Sequence, residues 1–220
     1  MKGVVDLWES GLGRPLLERG LLLGRVAEDA PVGLRNAAIL ELRARLFGPS
    51  IEALARCPAC GEAVEISFRT DDLSAGQFQG DFEIDGIHLE CRAPNSLDLA
   101  YAMRFAGETA AAREIARRCI VASSVPIDEI PDAVLEAMGE RMDAEDPLAI
   151  PSFGVACPEC GVESDFLFDP AEFVWRELAT QARRDLADVH ELAKAYGWTE
   201  EEVLKLSPTR RQMYLEMVRA

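Results

Sequence analysis

The chain has 220 residues, of which 49% are hydrophobic and 28% charged, and its 39 acids outnumber 23 bases to give a formal charge of -16. A chain this long buries a core without a disulfide framework, and its acidity repels phosphate backbones and anionic lipid surfaces, which argues against nucleic acid and membranes as partners. No apolar run of about 18 residues and no signal peptide occurs, since Leu21, Leu22 and Leu23 are flanked by Arg19 and Arg25, so a soluble cytoplasmic protein is expected. The acidity also suits a basic protein surface as partner, although acidic chains are more often simply soluble.

In chain order, DLWES at Asp6 and the run from Pro15 predict two short helices separated by Gly11 and Gly13. A longer one follows, with Leu34, Ala38, Leu42 and Leu46 on its apolar face and Arg35, Glu41, Arg43 and Arg45 between them, ending at Gly48 and Pro49. After CPACG at 57–61, Val64, Ile66 and Phe68 alternate with Glu65, Ser67 and Arg69, the period of a half-buried strand. FEIDGIHLEC reads as a hairpin turning at Asp85 and Gly86, with Ile84 opposite Ile87, Phe82 opposite Leu89, Cys91 on the apolar face and His88 on the other.

Asn95 or Ser96 then caps a helix with Asp98 in its first turn and Gly107 at its end. A second helix carries Ile115 and Cys119 on one face, and a third starts at Pro131 with Val134, Leu135, Met138 and Met142 inward. After CPECG at 157–161, Phe166 and Phe168 predict a further strand. Asp169 and Pro170 open a long helix with Leu178, Ala182, Leu186, Val189, Ala193 and Tyr196 apolar and Gly197 as its stop. Thr199 and Glu202 form a capping box, and Ser207 and Pro208 begin a last helix that turns Tyr214, Met217 and Val218 toward something apolar.

The two CPxCG phrases carry the clearest chemistry. A CxxC turn brings two sulfurs to one point, and the following glycine lets the backbone fold tightly enough for amides to face them. Two such turns complete a tetrahedral site, so Cys57, Cys60, Cys157 and Cys160 are expected to hold one structural zinc per chain, closed to substrate. The 96 residues between Cys60 and Cys157 far exceed the spacing of about 15–20 in a compact ribbon. A weak internal repeat offsets this: Phe68 and Phe168 each lie eight residues past a second cysteine, and Leu73 and Phe173 match further on.

The expected fold is therefore α+β and mostly helical, with a small antiparallel sheet and a split four-cysteine zinc ribbon. Residues 1–50 form an N-terminal helical segment, 51–75 and 152–170 the ribbon halves, 76–151 an inserted hairpin and helices, and 171–220 the C-terminal helices. CxxC also forms redox disulfides, but no thioredoxin-like βαβ pattern surrounds either pair. Cys91 and Cys119 read as buried thiols. His88 and His190 have no nucleophile or metal partner in sequence, and acid clusters such as Asp143 to Asp146 read as caps or solvated faces. No phosphate loop, nucleophile elbow or triad pattern occurs, and the chain is expected not to be an enzyme. A zinc-ribbon nucleic-acid regulator and a CxxC thiol oxidoreductase are the alternatives.

The run DVHELAKAYGWTEEEVLKLSPTRRQMYLEMV resembles the baseplate assembly proteins of T4-like phages and of related contractile injection systems. His190, Leu192, Ala193, Tyr196, Gly197, Trp198, Leu206, Arg210, Arg211, Tyr214, Leu215 and Glu216 carry the pattern. LWESGLGRPLLERGLLL, RLFGPSIEALARCPACG and CRAPNSLDLA also look like members of that family. The resemblance implies a non-enzymatic cytoplasmic chaperone that helps assemble the baseplate or hub of a phage-tail-like particle, with baseplate or hub proteins as partners. Tyr196, Trp198, Arg210, Arg211 and Tyr214 are of the residue types enriched at binding hot spots, and packing of the last two helices is the other reading for them.

Overall fold

The structure, a computed structural model, describes residues 3–219 and falls into two compact units, residues 15–172 and residues 3–14 with 173–219. The fold is α+β and mostly helical. Its helices are α1 (Val4–Gly11), α2 (Leu16–Gly24), α3 (Val32–Phe47), α4 (Ser96–Ala102), α5 (Glu108–Cys119), α6 (Asp132–Glu145), α7 (Pro170–Tyr196), α8 (Glu200–Lys205) and α9 (Pro208–Arg219). The strands β1 (Ser50–Arg56) and β2 (Ala63–Arg69) form one antiparallel ribbon, and β6 (Ser152–Ala156) and β7 (Glu163–Leu167) another. Between them in sequence, β3 (Asp81–Ile84), β4 (Ile87–Cys91) and β5 (Ile120–Ser123) form a sheet in that order.

The sheet and α6 make the clearest core. Ile84 pairs with Ile87 and Phe82 with Leu89, as the turn at Asp85 and Gly86 requires, both residues having positive φ. Period-two burial turns Phe82, Ile84, Leu89 and Cys91 toward Val134, Leu135, Met138 and Met142 of α6, in a cluster that also buries Cys119. Each fully buried aliphatic side chain here contributes about 1.5–3 kcal/mol of transfer free energy. Burial raises the thiols of Cys91 and Cys119 to about 11 and about 12, so both stay protonated as packing groups.

Three local expectations are corrected. Leu42 is buried in α3 as expected, but the inward side also takes Val32, Arg35, Asn36, Ile39, Leu40 and Arg43, while Leu34 is exposed. Buried guanidinium groups are tolerated there because they are satisfied. Arg35 donates to Asn36 Oδ1 at 3.0 Å and to Ser96 Oγ at 3.2 Å, and Arg43 to the carbonyls of Gly48 and Ser50. Gly107, with φ 93°, is the N-cap of α5, since α4 already ends at Ala102. In α9, Leu215 is buried and Met217 exposed, because Arg211, Leu215 and Val218 share the inward side while Met213 and Met217 fall on the other.

Asp98 joins the ends of β4, α4 and α5. It closes a capping box with Asn95 and accepts from Arg92 Nη1 at 2.5 Å and from Arg118 Nε at 3.0 Å. Burial opposes its ionisation, but hydrogen bonds from Arg92, the Asn95 amide and Arg118 outweigh that and hold its pKa below the ordinary carboxylate value.

Candidate metal centre

Each CPxCG phrase is the tip of a β-hairpin. β1 and β2 are in register from Ser50↔Arg69 to Arg56↔Ala63, and β6 and β7 from Ser152↔Leu167 to Ala156↔Glu163, which leaves residues 57–62 and 157–162 as equivalent loops. The loops are closed alike. Cys57 N–H donates to the Glu62 carbonyl at 2.8 Å and Gly61 N–H to the Cys57 carbonyl at 2.9 Å; Cys157, Val162 and Gly161 repeat this at 2.9 Å and 2.9 Å. Gly61 at φ 77° and Gly161 at φ 72° take the left-handed conformation that lets the chain double back behind the second sulfur.

The hairpins meet along their inward faces. Val64 of β2 clusters with Cys57, Cys157, Val155 and Phe166, and the Phe68 ring lies 4.3 Å from Phe153 and 5.1 Å from Phe168. This packing brings the two tips together although 96 residues separate Cys60 from Cys157. The Sγ atoms of Cys57 and Cys160 are 3.7 Å apart, as are those of Cys60 and Cys157, and all four lie within 4.8 Å of one another. Cys57 and Cys157 are buried and Cys60 and Cys160 exposed, and all are free thiols.

The amides behave as the knuckle geometry demands. The N–H groups of Cys60 and Ala59 draw the Cys57 thiol down to about 6. The Glu62 amide favours a thiolate at Cys60, but desolvation and the three neighbouring sulfurs win and push that thiol up to about 12. The Val162 amide similarly favours a Cys160 thiolate, yet its pKa is raised. Desolvation and the neighbouring sulfurs thus oppose a second thiolate here, and four soft sulfur donors form a set that can hold a metal ion.

The repeat is wider in one direction and narrower in the other than the sequence suggests. Strands β1 and β6, ahead of the cysteines, were not expected, although Ala53 and Ala55 of one and Phe153 and Val155 of the other occupy equivalent inward places. Beyond Phe168 the likeness ends, since Leu73 follows a 3-10 turn at Thr70–Asp72 whereas Phe173 lies in α7. His88 is exposed beside Asp81, at 3.4 Å, and has no place in the centre.

The C-terminal residues gather elsewhere. Tyr196 and Trp198 stack at 4.8 Å, and Tyr214 meets Trp198 edge-on at 4.9 Å and Tyr196 at 5.8 Å. Under the rings lie buried Leu192, Val203 and Leu215, and the Thr199 and Glu202 capping box fixes the turn between α7 and α8. Arg211 donates to Asp185 Oδ1 at 2.6 Å with both side chains nearly buried. Of the five residues singled out for partner binding, Tyr196 and Arg210 are exposed, whereas Trp198, Tyr214 and Arg211 are partly buried in this corner.

No helix among the described residues is long and apolar enough to cross a membrane. No curated protein and no solved structure matches the chain. A family model described as T4 bacteriophage base plate protein does match, over residues 22–175. The matched span contains both knuckles and the sheet and helices between them, and ends before the run from Asp188 to Val218. With well over half its length inside that match, the chain belongs to the T4 bacteriophage base plate protein family.

Proposed function

We propose that this protein is a non-enzymatic assembly factor, a chaperone for the baseplate or hub of a phage-tail-like contractile injection system, acting in the cytoplasm and stabilised by one structural zinc per chain. The observation that carries the reading is the family match over residues 22–175, because it spans the whole interval that the cysteine centre ties together. Cys57, Cys60, Cys157 and Cys160 are the ligands. Sulfurs about 2.3 Å from a central zinc stand about 3.8 Å apart in a regular tetrahedron, and two of the distances between the pairs, Cys57 to Cys160 and Cys60 to Cys157, are 3.7 Å. Four protein ligands leave no position for a substrate, which suits a clasp and not a catalyst.

Convergence of both CxxC pairs on one point also favours ligation over a dithiol oxidoreductase, which uses a single pair. The formal charge of -16 weighs against a nucleic-acid regulator. The partner face is the C-terminal corner: Tyr196 and Arg210 reach the partner, a baseplate or hub protein, while Trp198 and Tyr214 pack against the Tyr196 ring and Arg211 ties α9 to Asp185 of α7.

The test is affinity capture of the tagged full-length chain from cells that are producing the particle. Recovery of hub or baseplate subunits, reduced by Tyr196→Ala together with Arg210→Glu, is the expected result. A folded, zinc-loaded chain that recovers none of those subunits would overturn the assembly reading.

A further inference from the structure

The acidity of the chain is unevenly spread. At the corner between α4 and α5, Arg118 Cζ lies 4.5 Å and Arg104 Cζ 5.1 Å from the centroid of the Tyr101 ring, and Phe105 stands 5.6 Å from the same ring. Arg92 joins them through Asp98, which it meets with Nη1 at 2.5 Å and Nη2 at 2.9 Å. One buried carboxylate therefore serves two guanidinium groups. Arg104 has no ion pair among the described residues, so three guanidinium groups here stand against Asp98 and the exposed Glu108 in the first turn of α5, a local excess of one positive charge on a chain of formal charge -16.

The cations remain accessible and are already positioned. The side chains of Arg92 and Arg118 are 38% and 34% exposed, while their inner edges are fixed by Asp98. Beside them Met103 is 79% exposed and Phe105 38%. Arginines pre-set by a buried acid lose little entropy when they bind, and adjoining apolar side chains supply an anchor with adaptable shape.

We infer that this corner is a docking surface for a short acidic, amphipathic segment of a partner protein, whose carboxylates meet Arg104, Arg118 and Arg92 while an apolar side chain covers Phe105 and Met103. Charge complementarity selects the occupant. Arginines beside an aromatic ring also suit a single-stranded nucleic acid, but such a strand carries a charge at every nucleotide and would run off the corner onto an acidic body. A short segment keeps its charges within about a Debye length, 8–10 Å, of the arginines and feels the local excess. The inference depends neither on the metal nor on the assembly reading.

The experiment measures fluorescence anisotropy of a short labelled peptide, pairs of glutamate alternating with leucine and phenylalanine, against the full chain as purified at about 0.15 M salt. Saturable binding is expected that weakens as salt rises and falls about tenfold on Arg104→Glu, a residue outside the Asp98 pairing. Phe105→Ser should weaken it as well. Arg45→Glu, at an exposed pair with Glu41, should leave it unchanged. Absence of binding, equal binding by the Arg104→Glu protein, or tighter binding of an all-thymine single strand of the same length would each overturn the inference.

Discussion

The two hairpin tips and the C-terminal corner both gather unusual residues, and they are held together by different physics. At the tips, the only fully buried apolar groups in the local cluster are Cys57, Val64 and Cys157, backed by Val155 and Phe166. At the corner, Leu192, Val203 and Leu215 are buried beneath three mutually packed rings, with Arg211 and Asp185 paired alongside. The first is a small cluster, extended by the packed rings of Phe68, Phe153 and Phe168, and on the proposed reading ligation supplies the rest of its cohesion. The second is a small core in its own right and requires no ion.

That contrast predicts separable responses. The largest belongs to the metal: structural zinc contributes on the order of 10 kcal/mol of apparent binding free energy in small domains. Treatment with a strong chelator, or Cys57→Ser, should therefore accelerate amide exchange throughout 50–69 and 152–167. Exchange across 188–218 should hardly change, and equal acceleration in both regions would break the distinction. Next comes Arg211→Ala, which leaves the nearly buried Asp185 with Gln181 as donor but no charge partner and should cost about 3 kcal/mol by denaturant unfolding. Metal content should not move. The smallest is Gly161→Ala, which forces a Cβ into the left-handed region at φ 72° and should cost roughly 1–2 kcal/mol. Gly61→Ala should match it, because the two knuckles share one backbone design, and a clear difference between the two would count against their equivalence.

How much of this was readable in the sequence depended on whether the governing interaction was local. The turn at Asp85 and Gly86 set the register of β3 and β4, and the spacing of Val134, Leu135, Met138 and Met142 set the buried face of α6, so both read directly. The paired CPxCG phrases pointed to the four cysteines that the fold brings together for the same reason, each being a self-contained turn. Elements defined by distant partners did not read. β5 is a strand because it pairs with β4 across α4 and α5, with Cys91 opposite Ile120. Arg35 and Arg43 are inward because Asn36, Ser96 and nearby carbonyls satisfy them, which periodicity of apolar residues alone misassigns. The family was legible too, although the residues that suggested it most strongly, from Asp188 onward, lie beyond the span that matches.

Metal analysis combined with X-ray absorption at the zinc edge asks whether the four cysteines of the two hairpins bind one zinc. About one zinc per chain with four sulfur neighbours at about 2.3 Å is expected. A stably folded, metal-free chain in which Cys57, Cys60, Cys157 and Cys160 all react as free thiols would contradict it.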